Sequence, residues 1–246
     1  MEPLTFALLL LAGVGTGLVG YLTGLASIVS YPALLAAGLP PVVANATNTV
    51  ALVGVGVGAT ARASRLAFAD RPRRTLWQVG IALVGGGIGG TLLLLGGDDV
   101  FAVVVPWLII FGSLMLLASP RLTRLRGENE YWRSYLVTLF FVAMYCGFFG
   151  AGAGVMVLAT TSILTAIPFQ RAMVLKSLLL GVANILASAV FIISGVVNWW
   201  AAAAMGVGCL IGGSLGPIVQ RLIPERVLRP VVAAAGIFMA IWLWVG

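Results

Sequence analysis

The chain has 246 residues, 61% of them hydrophobic and only 9% charged, with no histidine and a formal net charge of +7. A soluble globular chain carries roughly 25% charged residues, so this composition excludes a water-soluble domain and points to a membrane transporter or channel. The basic residues, thirteen arginines and Lys176, punctuate apolar runs instead of clustering on a polar surface with aromatic platforms, which excludes a nucleic-acid partner.

A hydrocarbon core about 30 Å thick needs roughly 20 helical residues to cross it. In chain order, apolar runs of that length occur at 4–22, 42–61, 75–96, 100–119, 132–149, 171–194, 199–220 and 227–245. Two shorter stretches, Gly24–Ala37 and Gly152–Ala166, follow glycine-rich passages and end at Pro40-Pro41 and Pro168. They are too short to span as straight helices and are predicted to be broken or partly spanning. The first run has no positive leading segment or cleavage site of the kind a signal peptide carries. The sequence therefore predicts an all-α polytopic membrane protein with 8–10 transmembrane helices, two of them short or broken.

The same order of parts occurs twice. An offset of 128 residues aligns Gly24 with Gly152, Pro40 with Pro168, Ala44 with Ala172, Gly80 with Gly208, Gly85 with Gly213, and the turn at Asp70 with that at Asn198. This divides the chain into a first membrane repeat at 1–119, a cytoplasmic connector at 120–131 and a second repeat at 132–246. Five elements per repeat is an odd number, so the second repeat enters the membrane inverted. In that topology Arg62, Arg65, Arg71, Arg73, Arg74, Arg121, Arg124, Arg126, Arg133, Arg171, Arg221, Arg226 and Arg229 all fall on the cytoplasmic side, as the positive-inside rule asks. Glu2, Asp98, Asp99 and both termini fall on the opposite side. With four crossings per repeat, Arg171, Arg221, Arg226 and Arg229 would face outward, so ten elements fit better.

The residues available for chemistry are few. The acids Glu2, Asp70, Asp98, Asp99, Glu128, Glu130 and Glu225 lie in or beside polar breaks, which argues against carboxylate proton relays, paired-carboxylate hydrolysis and cation cages. Without histidine, and with Cys146 and Cys209 far apart, there is no His-based metal site, CxxC pair or Ser-His or Cys-His nucleophile. The expectation is a protein that is not an enzyme and uses no cofactor or metal.

Lys176 is the sharpest signal, the single lysine, lying in an apolar stretch that runs to Ile193. An ammonium there costs several kcal/mol by insertion scales, and intramembrane charges usually face a bundle interior or a watery cavity. The competing reading is that it snorkels to the edge near Arg171, about 7 Å away along a helix. The repeat partner of Lys176 is Asn48, and Asn45, Asn48 and Thr49 share one helix face; those three could equally cap the helix or bond neighbouring helices. Helices starting inside the membrane at Pro40 and Pro168 would add free N–H groups and positive dipole ends, which suit an anion. Gln170, Thr160, Thr161, Ser162, Ser177 and Asn184 are secondary donors by proximity in sequence, although such residues often satisfy helix backbone instead. Cys146 is more readily a small packing residue than a ligand contact. The glycine run at 85–90 lies in an apolar span and lacks a Lys-Ser/Thr ending, so it reads as helix packing, not a phosphate loop.

Three motifs carry a family resemblance: Gly147-Phe-Phe-Gly150-Ala-Gly152-Ala-Gly154, Ala172-Met-Val-Leu-Lys-Ser177 and Gly195-Val-Val-Asn-Trp199, with Ala44-Asn-Ala-Thr47-Asn matching in the first half. In these the chain resembles the sulfite exporter family TauE/SafE, also called the toluene sulfonate uptake permeases. The chain departs from the family pattern at Ala153, where a glycine is usual, at Leu175, where threonine is common, and at Asn198, in place of aspartate. The resemblance implies an inverted-repeat carrier for small anions, often sulfur oxyanions or organosulfonates, in a bacterial or archaeal plasma (inner) membrane.

The expected activity is export of a small sulfur-containing anion, sulfite first, with Lys176 supplying charge and Asn48 and its polar neighbours supplying hydrogen bonds. Membrane lipid is the other expected partner, and a homo-oligomer is compatible with the sequence. The alternatives are an anion channel or a non-transporting scaffold subunit.

Overall fold

A computed structural model describes residues 3–61, 68, 72–122, 130–219 and 225–245. Among the described residues the chain is helical and has no strand. The first half contains α1 (Pro3–Thr23), the short α2 (Ser27–Ala36), α3 (Pro41–Ala61) and the 51-residue α4 (Pro72–Leu122). The second contains α5 (Trp132–Phe148), the short α6 (Ala153–Leu164), α7 (Phe169–Ile193), α8 (Trp199–Val219) and α9 (Glu225–Val245).

The ten expected elements are present with one difference. The runs at 75–96 and 100–119 are two arms of the single helix α4, bent where Gly97 adopts φ 69° and ψ −177°. Only glycine takes that conformation at little cost, so the polar break at 97–99 turns the helix without separating its arms by a loop. Each arm is about 37 Å long at about 1.5 Å per residue, enough to cross a bilayer. The short helices α2 and α6, with 10 and 12 residues, are about 15 and 18 Å long and cannot cross alone. Helix α4 runs through Leu122, so the first residues of the expected connector are helical. Of the arginines assigned to one face, Arg62, Arg65, Arg71, Arg124, Arg126 and Arg221 lie outside the described residues, as does Asp70; of Arg226 and Arg229 only the helical backbone is described.

The outside of the bundle is apolar. Leu4, Leu8, Leu95, Val103, Ile193 and Phe238 are all more than half exposed, as befits a lipid-facing surface. Trp77 and the pair Trp199-Trp200 are likewise exposed near helix starts, where amphipathic rings favour the headgroup level. Among the described residues five helices are long and apolar enough to cross, and this is a multi-pass membrane protein.

Pairings made by the first half recur in the second. Helix α1 packs along α8, as α5 packs along the first arm of α4. Helix α3 also packs on α8, as α7 packs on that same arm of α4. Where the halves meet, α3 and α7 cross at Gly56 and Gly181: a Cβ on Gly56 would lie 2.6 Å from the Gly181 Cα. The breaks after α1 and before α6 touch in the same way, a Cβ on Gly24 falling 2.7 Å from the Gly154 Cα. Gly24 also has φ +79°, so a larger residue there meets both strain and a clash. These contacts put the α1–α2 break, the end of α5 and the middle of α3 and α7 around one point.

Candidate functional site

At that point lies a cavity of about 50 Å³, several times the roughly 10–15 Å³ that one water needs. Helix α7 lines it with Lys176, Leu180 and Asn184, four residues apart on one face, and with Ser177 and Gly181 beside them. The α1–α2 break adds Gly20, Gly24 and Ser27, α3 adds Leu52, Val55 and Gly56, and the end of α5 adds Cys146 and Gly150. The lining, among the described residues, includes no carboxylate.

Lys176 is 1% exposed. Its Nζ donates to the Tyr21 carbonyl at 2.5 Å and sits 5.5 Å from the centre of the Tyr21 ring. Tyr21 lies in the last turn of α1, where carbonyls lack helical partners and the dipole end is negative. Both this carbonyl and the ring face offset the cost of burying an ammonium. The side chain therefore reaches across to the other half of the protein and does not extend to the edge beside Arg171. The close Gly24–Gly154 contact makes this reach available: a Cβ on Gly154 would lie 3.2 Å from Lys176 Cδ.

Of the other residues singled out in the sequence, Ser177 and Asn184 line the same cavity. The Ser177 hydroxyl donates to the Met173 carbonyl at 3.3 Å, and Asn184 Oδ1 accepts from Cys146 Sγ at 3.5 Å. Asn48 lies one turn before Leu52, behind the lining, and its Nδ2 donates to Ser27 Oγ at 3.2 Å. Asn45 Nδ2 donates to the Phe148 carbonyl, at the end of α5, at 2.8 Å. The Oδ1 atoms of both asparagines are buried without a hydrogen-bond donor. Thr49 and Thr161 bond back to the carbonyls of Asn45 and Val157 in their own helices at 2.9 and 2.6 Å, and neither lines the cavity. Gln170 is exposed in the first turn of α7 and is also outside it.

The helix starts differ from expectation. The amide of Val42 in the first turn of α3 donates to Asp98 Oδ1 at 2.8 Å, so this start faces a carboxylate of the protein itself. Helix α7 begins with exposed Pro168, Phe169 and Gln170, so its N-terminus opens at the end of the bundle and not in the centre. Sequence reasoning missed Ser27 and the Tyr21 carbonyl. A hydroxyl three residues past the Gly24 break was a visible signal for Ser27, whereas a backbone acceptor has none. Cys146, read as packing, is one of the residues lining the cavity.

A helical bundle that crosses the bilayer several times and holds a buried lysine at a cavity between its halves has the build of a membrane transporter. The chain belongs to the sulfite exporter TauE/SafE family, whose model matches residues 9–243. It is similar to a "Probable membrane transporter protein" of Haemophilus influenzae, with 27% identity over 95% of this chain and 92% of that protein. It is also similar to "Probable membrane transporter protein YfcA" of Escherichia coli K12, with 26% identity over 98% and 90% of the two chains. "Probable membrane transporter protein YunE" of Bacillus subtilis shares 25% identity over 92% of each chain.

Proposed function

We propose that this protein exports a small sulfur-containing anion across the plasma (inner) membrane of a bacterium or archaeon, with sulfite the leading substrate and an organosulfonate the next. The observation that carries this reading is the buried Lys176, beside Ser27, Ser177 and Asn184 in a largely apolar lining without a carboxylate among the described residues. Such a lining favours an anion electrostatically and disfavours a cation. The family and the names of the relatives support the transporter class.

In this account the two halves, 1–119 and 132–246, are inverted repeats joined by a connector at 120–131, and they rock about the cavity so that it opens to each side in turn. Two hydrogen bonds support the relation. A side chain of α3 donates to a carbonyl at the end of α5, and a side chain of α7 donates to a carbonyl at the end of α1. Each half thus holds the end of the helix that leads into the short helix of the other. The arginine-bearing end is cytoplasmic and both termini are on the far side. An inside-negative potential then drives the anion outward with about 2.3 kcal/mol per charge per 100 mV.

The test uses purified protein in liposomes loaded with sulfite, sulfate, thiosulfate or a short sulfonate, with a potassium-diffusion potential applied. Saturable, voltage-driven efflux of at least one of these sulfur anions is expected, together with a higher melting temperature in the presence of that anion. Non-saturating flux with unitary currents would mean a channel, and no flux of any anion would mean a scaffold; either overturns the reading.

A further inference from the structure

We propose that a second pocket, at the arginine-bearing end, is a separate anion site that takes a small, singly protonated oxyanion before it reaches the central cavity. This inference rests on the anion-transport reading above. The pocket holds about 280 Å³ between the starts of α4, α5 and α7 and the end of α6, and its polar lining includes Arg74, Gln78, Glu130 and Arg171.

Among the described residues this lining carries two guanidinium groups and one carboxylate, a net positive balance. Arg171 is only 8% exposed although it lies in the first turn of α7, so its charge is directed inward, not to bulk water. The start of α7 itself opens on this pocket through Pro168, and the positive end of its dipole adds to the potential there. Gln78 is 2% exposed, and its Oε1 is buried without a hydrogen-bond donor. An acceptor needing a hydrogen, set beside guanidinium donors, matches an oxyanion that still carries one proton, such as hydrogen sulfite.

Arg74 is held by two contacts. It pairs with Glu130, and its guanidinium carbon lies 4.7 Å from the centre of the Trp132 ring. Glu130 precedes α5 and competes with an anion for Arg74, so it acts as an internal occupant that the ligand displaces. Lys176 follows Arg171 by five residues on α7, about 7 Å along the axis, which places the pocket one step from the central cavity.

The same chemistry would fit the headgroup phosphate of an anionic lipid, and the experiment separates the two. The full-length protein in nanodiscs of zwitterionic lipid is titrated with sulfite, at a pH where its protonated and unprotonated forms coexist, and tryptophan emission is followed. A saturable change is expected that disappears in Trp132→Phe, persists in Lys176→Met and needs about tenfold more sulfite in Arg171→Gln. Arg171→Lys, which keeps the charge without the planar fork, should fall between, so a folding failure of one variant does not leave the site undecided. Glu130→Gln should lower the midpoint by a few fold, and anionic nanodiscs should leave it within about twofold. A midpoint unmoved by both Arg171 variants overturns the proposal. So does loss of the signal in anionic nanodiscs, which would assign the pocket to lipid. Sulfite efflux with no Trp132 titration removes this pocket alone, whereas a Trp132 titration without flux of any anion removes the transport reading alone.

Discussion

The two helices that start after a proline, α3 and α7, occupy corresponding places in the two halves and treat charge in opposite ways. At the start of α3 the Val42 amide meets Asp98, and further along, Asn45 and Asn48 direct their amide donors to Phe148 and Ser27 within the protein. At the start of α7 there is no side-chain cap but a pocket holding Arg171, and one and a half turns further in comes Lys176. In the proposed account the first helix is neutralised by its own chain, whereas the second brings one cation to each of the two pockets, Arg171 to the outer and Lys176 to the central one. A repeated scaffold can thus supply the framework twice and the charge once. The proposed anion path then follows α7 while α3 serves as the wall against which it packs.

This contrast can be broken from either side. The largest effect is expected from Gly154→Leu on α6, which would drive a side chain into the Gly24 backbone and into Lys176 of α7. Folding should weaken by about 3 kcal/mol or more, or expression should fail, since backbone cannot give way as a flexible side chain does. Thermal unfolding in detergent checks it, with Gly154→Ala expected to be milder. On the α3 side, Asp98→Ala removes the carboxylate that accepts from Val42 and should cost about 1–2 kcal/mol. Its effect should appear in unfolding, with the midpoint for the transported anion unchanged. An Asp98→Ala variant with normal stability and altered anion affinity would mean that the α3 start belongs to the anion path, and the contrast would be lost.

Much of the fold could be read from the sequence because lipid imposes a simple rule. Eight of the ten elements followed from the lengths of apolar runs, and the two short helices from the Gly24–Ala37 and Gly152–Ala166 stretches. The bend at Gly97 was less legible, since a polar Gly-Gly-Asp-Asp run looks like a loop whether or not the helix continues through it. For the cavity, Lys176 stood out as the lone lysine in an apolar run, and proximity in sequence brought Ser177 and Asn184 with it. Asn45, Asn48, Thr49 and Thr161 are buried as polar residues in the membrane should be, but their hydrogen bonds go to neighbouring helices or to their own backbone. Which of these destinations a side chain takes depends on tertiary contacts that one sequence does not display. Gln170 lies in the exposed first turn of α7, outside the cavity lining; the proline before it marks where the helix starts but not how deep in the bundle it does so.

The account depends most on Lys176, and voltage-driven efflux of the transported sulfur anion from liposomes tests it directly. With equal amounts of folded protein, checked by thermal unfolding, Lys176→Met should reduce the rate about thirtyfold or more, while Lys176→Arg, which keeps the charge, should retain more of it. A Lys176→Met protein that transports at the unmodified rate would contradict the assignment and leave Lys176 as a structural tie between α7 and the end of α1.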